Sequence, residues 1–335
     1  MTVFNPDWRI QIDDENITGF TLVGLTITSG RTSINNQPQA GYCQLEIINT
    51  DNTDYPFDIN SSLTVELKDS GGTYVPIFGG KISDISVGVR SAGNITYVTS
   101  YQIIALGAIA KLQKAVWTSA LSQADDGTQI YTILSDLLLN NWSEVPASQT
   151  WQNYDATTTW ANAENIGLGE IDQPGQYEME QRSANPIDFY SIVTQIANSA
   201  LGYIYEDANG NIGYADSAHR TTYLAANGYV DLSANDALAL GIRATTRQGA
   251  LVNSFVLNYG NAFNSQKTAL DQDSIDTYGR FQVTQNSLVH DATDAQNIAN
   301  RYVQLRAYPR AQFEKITFAL QNPEISNSEI GRAHV

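Results

Sequence analysis

The chain has one cysteine, Cys43, three histidines and nine prolines in 335 residues. A single thiol excludes an internal disulfide, and its place in the alternating run Tyr42 to Ile47 predicts an ordinary buried side chain. Such usage is compatible with a reducing compartment. No stretch approaches the ~20 apolar residues that a membrane-crossing helix needs. Met1 to Asp13 also lacks the basic start and apolar centre of an export signal. Charge is scarce: Asp, Glu, Lys and Arg make up 16% of the chain, and 35 acids against 18 bases give a formal net charge of −17. Lys and Arg form no run, which argues against a grip on nucleic acid, since displacing counterions requires clustered bases. The acids predict a solubilising exterior.

Recognisable chemistry is equally sparse. His219 and His290 stand alone in polar segments, where a histidine is more often a bystander than a ligand. Asp51, Asn52, Asp54 and Asp58 are close in sequence but lack the spacing and closing glutamate of a calcium loop, and Asp207 to Asn211 reads first as a hairpin turn. Glu178 and Glu180 form an acid pair of the kind expected by chance among so many acids, and spacing alone cannot set two carboxylates across a glycosidase cleft. No Gly-x-Ser-x-Gly elbow, phosphate loop or Cys/His nucleophile occurs. The sequence predicts no enzyme, no metal and no cofactor.

What is present is patterning. Trp8, Ile10 and Ile12 alternate, as do Leu25 and Ile27, then Leu63, Val65 and Leu67, then Ile82, Ile85 and Val87, then Ile95 to Ile103. Asp69-Ser70-Gly71-Gly72 and Ala92-Gly93-Asn94 are turn signals, and Gly79-Gly80 suggests a bulge or bend. Residues 1–115 are therefore expected to form an antiparallel barrel or sandwich. A short helix or turn at Ala108 to Leu112 leads out of it. Helical spacing follows from Asp126, with Ile130, Ile133, Leu134, Leu137 and Leu138 on one face. Ser143 to Gln181 has little pattern and is expected to be extended loop. Asn185-Pro186 predicts the start of a helix lined by Phe189, Ile192, Val193 and Ile196, with a hairpin turning at Asn209-Gly210 behind it.

Val252 to Tyr259 reads as a strand, and Asn261 to Gln266 as a polar linker. Asp271 to Leu320 then holds a loop, an aromatic strand, one helix and another strand. Asp291 is placed to cap that helix, and Ala295, Ile298, Ala299, Tyr302, Val303 and Arg306 share a stripe. Pro309 stops it, and Ile316, Phe318 and Leu320 alternate as a strand.

The order Tyr278-Gly279-Arg280, strand, Ala-rich helix, Tyr308-Pro309-Arg310, strand resembles the hub and minor tail proteins of long-tailed bacteriophages. Gly30-Arg31-Thr32 before Tyr42 to Ile47, then Asp58-Ile59-Asn60 before Leu63 to Leu67, resembles the first barrel of that family. The resemblance implies a mainly β, α+β chain with two antiparallel tail-tube-like β-barrels and an inserted helix-plus-hairpin domain. Its implied boundaries are 1–115 for the first barrel, 116–228 for the insertion and 229–328 for a second barrel, expected to be incomplete. It further implies a ring, commonly a homotrimer, that caps the tail tube, contacts tape-measure and other tip proteins, and passes DNA without reading it. The place would be the virion tail tip, assembled in the bacterial cytoplasm. The final Glu329 to Val335 resembles a translated sequencing adapter, so the natural chain is expected to continue beyond Ser328.

Four of the five tryptophans fall between Trp117 and Trp160. Trp117, Trp142, Trp151 and Trp160, with Tyr154 and Tyr177, are candidates either for a subunit interface, where such residues are enriched, or for a glycan-binding face. The interface is the favoured reading, a receptor- or glycan-binding module the competing one, and a wall-degrading enzyme the third.

Overall fold

The structure is a computed structural model that describes residues 7–31, 36–49, 55, 58–68, 71–91, 97–139, 168–228, 237–246, 250–309 and 311–318. Strands β1 (Trp8–Ile12), β2 (Glu15–Asn16), β3 (Phe20–Gly30), β4 (Gln39–Asn49), β5 (Ser62–Lys68), β6 (Tyr74–Ser91) and β7 (Tyr97–Leu106) form one sheet in the order β2-β1-β5-β6-β7-β4-β3. Every pairing in it is antiparallel. The period of two puts Ile10, Cys43, Leu45, Ile47, Leu63, Val65, Ile82 and Ile103 on one face, all at 2% exposure or less. β5 pairs with β6 only from Tyr74 to Lys81, and the other half of β6, from Asp84 to Ser91, pairs with β7 alone among the described residues. Register shifts flank the changeover, between Val65 and Glu66 and between Ile82 and Asp84.

The second core starts where β7 ends. α1 (Ile109–Leu112) and β8 (Val116–Trp117) lead to β9 (Ala124–Asp125) and α2 (Asp126–Leu139), whose Ile130, Ile133, Leu134 and Leu137 are buried. β10 (Leu168–Ile171), β11 (Glu178–Met179) and β12 (Ile187–Asp188) follow, the last two pairing with β9 and β8. α3 (Phe189–Ser199) buries the four apolar residues expected of it, but its cap is Asp188, whose carboxylate accepts from Ser191 N at 2.7 Å. Asn185-Pro186 lies outside the helix because residues 187–188 are held in the ladder with β8. β13 (Tyr203–Glu206) and β14 (Ile212–Ala215) form the predicted hairpin, with Gly210 at φ 82° in its turn, and β10 joins β14 in parallel. α4 (His219–Asn227) closes this part.

β15 (Ala237–Thr246) pairs with β19 (Ala311–Phe318). β16 (Ser254–Tyr259) is the centre of a sheet with β17 (Ser265–Leu270) and β18 (Gln282–Asn286), reached through α5 (Gln272–Tyr278), and α6 (Ala292–Arg306) packs over it. Ala295, Ile298, Ala299 and Val303 are the buried stripe of α6, and Asp291 accepts from Thr293 N and Asp294 N at its start.

Three expectations change. No sheet closes into a barrel among the described residues, and the C-terminal sheet is mixed, because β18 runs parallel to β16. The chain must pass the end of β16 to reach its far side, which a tight hairpin cannot do; α5, capped by Asp271 on Ser274 N, makes the crossing. The segment read as a polar linker is a 3-10 turn followed by β17, a strand too polar and exposed to show the usual alternation.

Candidate functional site at the junction of the cores

The two cores meet around three glycines and one carboxylate. Glu206, at the end of β13, accepts from the backbone N–H groups of Gly41 and Ile109, the latter at 3.0 Å. Burial pushes its carboxyl up, and those two hydrogen bonds work against the rise. A side chain at Gly41 or Gly107 would overlap the carboxylate. Beside it, a Cβ on Gly79 of β6 would lie 2.5 Å from the Asn209 carbonyl carbon, so the β13–β14 turn rests on bare backbone of the first sheet. The Gln37 amide adds a second tie, donating to Asn198 Oδ1 at 2.7 Å and Gly202 O at 3.1 Å and accepting from Ile204 N at 3.1 Å.

A group of buried acids stands behind the hairpin. Asp126 Oδ1 accepts from Gln176 N and Tyr177 N, both at 2.8 Å, while Oδ2 accepts from the Tyr214 hydroxyl. Burial raises this carboxyl from 3.8 to about 6 against the pull of those donors. Asp172 Oδ2 accepts from Asp216 N at 3.0 Å and meets His219 Nδ1 at 2.7 Å. Asp216 is likewise pushed up, first by burial and then by the charge of Asp172. Glu170, Asp172 and His219 bring ligand-type atoms within 4.8 Å of one another, the sole such group among the described residues. Their chemistry would suit a divalent cation, but the short Asp172–His219 contact is also what a fastening between β10 and α4 requires. His219 is thus a buried partner of Asp172 and not the solvent-facing bystander that its polar neighbours suggested. The missing signal was spatial, since Asp172 lies 47 positions away.

A cavity of about 1000 Å³ opens beside this group. Arg31, Arg220 and Arg306 line it, with Asp216 the one carboxylate among the described residues of its wall. Arg31 lies 5.1 Å over the Tyr203 ring and Arg306 4.5 Å over the Tyr302 ring, whose other neighbour is Phe255 at 4.0 Å.

Of the aromatic residues singled out by sequence, Trp117 is 3% exposed and packs edge-on against Phe189, with ring centroids 5.7 Å apart. Tyr177 is half-buried against the second core, and its N–H serves Asp126. Trp142, Trp151, Tyr154 and Trp160 lie outside the described residues. His290 meets Glu180 at 3.0 Å, and that carboxylate raises its pKa.

No protein-family model and no curated protein matches the chain. Among solved structures it is similar to the 43 kDa tail protein of prophage MuSo2 from Shewanella oneidensis, at 13% identity, TM-score 0.47, covering 89% of this chain and 77% of that one. It is similar to the tail protein from Neisseria meningitidis MC58 at 9% identity, TM-score 0.48 and 88% and 75% coverage. Prophage tail protein gp18 from Listeria monocytogenes EGD-e gives 13%, 0.48, 91% and 79%.

Proposed function

We propose that the chain is a structural component of a phage tail, a tip or baseplate hub subunit that caps the tail tube, and that it is not an enzyme. The solved structures named above are tail proteins. The reading stands on this chain's own residues. The observation that carries it is the uncovered half of β6. From Asp84 to Ser91 one edge of this strand has no neighbour among the described residues, and Val87 and Val89 on it are 59% and 68% exposed. An apolar, unpaired strand edge is a template for a strand of another chain. Ring closure through such edges gives the homotrimer implied by the resemblance, and the net charge of −17 suits a channel through which DNA passes without sticking. The linker at residues 107–118 and the Trp-rich segment are the candidate contacts between neighbouring subunits.

Light scattering on the purified protein tests this directly. A ring-sized oligomer that falls to a monomer in the double variant Val87→Lys, Val89→Lys supports the hub. A wild-type monomer that binds host polysaccharide favours a receptor-binding module instead, and peptidoglycan clearing abolished by single carboxylate changes would favour an enzyme.

A further inference from the structure

The charges in the wall of the cavity beside the hairpin are already engaged or offset. Arg31 lies over the Tyr203 ring and Arg306 over the Tyr302 ring, while Arg220 and Asp216 are opposite in sign. Recognition there falls to uncharged groups, and carboxamides are prominent among them. Gln37 and Asn198 are committed to the tie between the cores. Gln195 is exposed on α3 and also lines the space. Gln285, on β18, donates to Asn198 O at 3.4 Å and keeps its carbonyl oxygen as an acceptor. Phe263 and Leu305, 41% and 43% exposed, add apolar surface to the same wall. The backbone is unusual here as well. Leu201 at φ 56° and Phe263 at φ 57°, both in this wall, hold a left-handed conformation that bulky side chains rarely adopt, and Ala262 beside Phe263 does the same at 55°. Such conformations concentrate where a side chain must be held in a chosen place. The turn leaves the Phe263 ring open, with no ring partner among the described residues.

We propose that this cavity binds an uncharged glycan chain containing N-acetylhexosamine, with Gln195 and Gln285 on its polar groups and Phe263 under a sugar ring. A carboxamide offers both N–H donors and a carbonyl acceptor. An acetamido group carries the same pair, so the two amides can bond reciprocally, and sugar hydroxyls, which donate and accept, suit the remaining positions. The acetamido methyl then rests on Leu305. An open aromatic face takes the apolar side of a pyranose ring. The volume, about 1000 Å³, lies at the upper end for a single bound ligand and fits a chain of sugars better than one ring. The inference is independent of the hub reading, which turns on the edge of β6 and not on this wall.

The test is isothermal titration of the whole protein with a linear N-acetylglucosamine hexamer. The matching glucose hexamer, which has hydroxyls in place of acetamido groups, serves as control. Binding of the acetamido sugar is expected, weaker binding of the glucose chain, and an affinity that added salt leaves unchanged, since no charge is neutralised. Gln195→Ala and Gln285→Ala should each weaken it about tenfold, the factor of one hydrogen bond at the strong end of the neutral range. Phe263→Gly removes the ring while suiting the left-handed backbone, so it should weaken binding about tenfold with no fall in the unfolding midpoint. That pairing separates a ligand contact from a structural role. The Val87→Lys, Val89→Lys variant should bind the sugar as the wild type does, which keeps the failure of this proposal distinct from the failure of the hub reading. Absence of binding, equal binding of the glucose hexamer, unchanged affinity in the Gln195, Gln285 and Phe263 variants, a steep loss with salt, or loss of binding in the β6 variant would overturn the proposal.

Discussion

The two cores solve the burial of polar groups in opposite ways. The interior of the first sheet is almost wholly apolar, from Ile10 to Ile103, and its charged pairs, Arg9 with Glu66 and Lys68 with Asp7, join β1 to β5. The second core buries Asp126, Glu170, Asp172, Asp216 and His219 and uses them as fastenings between helix, strand and loop. A regular sheet satisfies its own backbone and needs no such help. Short strands and exposed turns leave N–H groups that side-chain carboxylates must take up. The second core therefore gains specificity of arrangement at a cost in desolvation, and the junction at Glu206 extends the same device to the first sheet.

Separating the two cores carries the largest expected effect. Gly79→Val would drive a side chain into the Asn209 backbone, and a loss of about 3 kcal/mol is expected. Denaturation followed by Trp fluorescence and by Cys43 exposure should then give two transitions where the wild type gives one. A smaller effect is expected from Glu206→Ala, which strips the acceptor from Gly41 N and Ile109 N, at about 2 kcal/mol; Glu206→Gln, which keeps one oxygen, should recover most of it. Smallest is Asp126→Asn. The folded carboxyl titrates near 6 and the ordinary one at 3.8, so between these values the folded state holds a proton that the unfolded chain has released. Stability from this group is full below about pH 4 and is lost as pH rises through 6. Asparagine removes that loss, so urea midpoints at pH 7 should correspond to a gain of about 1–2 kcal/mol with a flatter profile from pH 4 to 6. Asp216 and Glu206, raised in the same direction, leave a residual slope.

The first sheet was the more legible half. Its strands alternate cleanly, so inward residues such as Leu63 and Val65 announce themselves. The stripes of α2, α3 and α6 were equally plain, down to the Asp291 cap. The strand β17 and helix α5 were missed because Ser265 to Tyr278 is polar and largely exposed, with nothing periodic to read. The cap of α3 was misplaced because Asn185-Pro186 is a stronger local signal than Asp188, and the ladder that holds residue 187 comes from Trp117, far upstream. The acid group behind the hairpin was not legible for the same reason: Asp126, Asp172 and Tyr214 are ordinary residues until the fold brings them together. The aromatic candidates illustrate the limit, for Trp117 looked like a surface and is core.

Cys43 offers an experiment of a different kind. It sits at zero exposure in the first sheet, and burial pushes its thiol to about 12. At neutral pH a thiol-specific reagent can reach it only when that sheet opens. With no second cysteine in the chain, the rate of modification is a built-in clock for the opening of the first core, readable by mass alone and blind to the loosening of the other half.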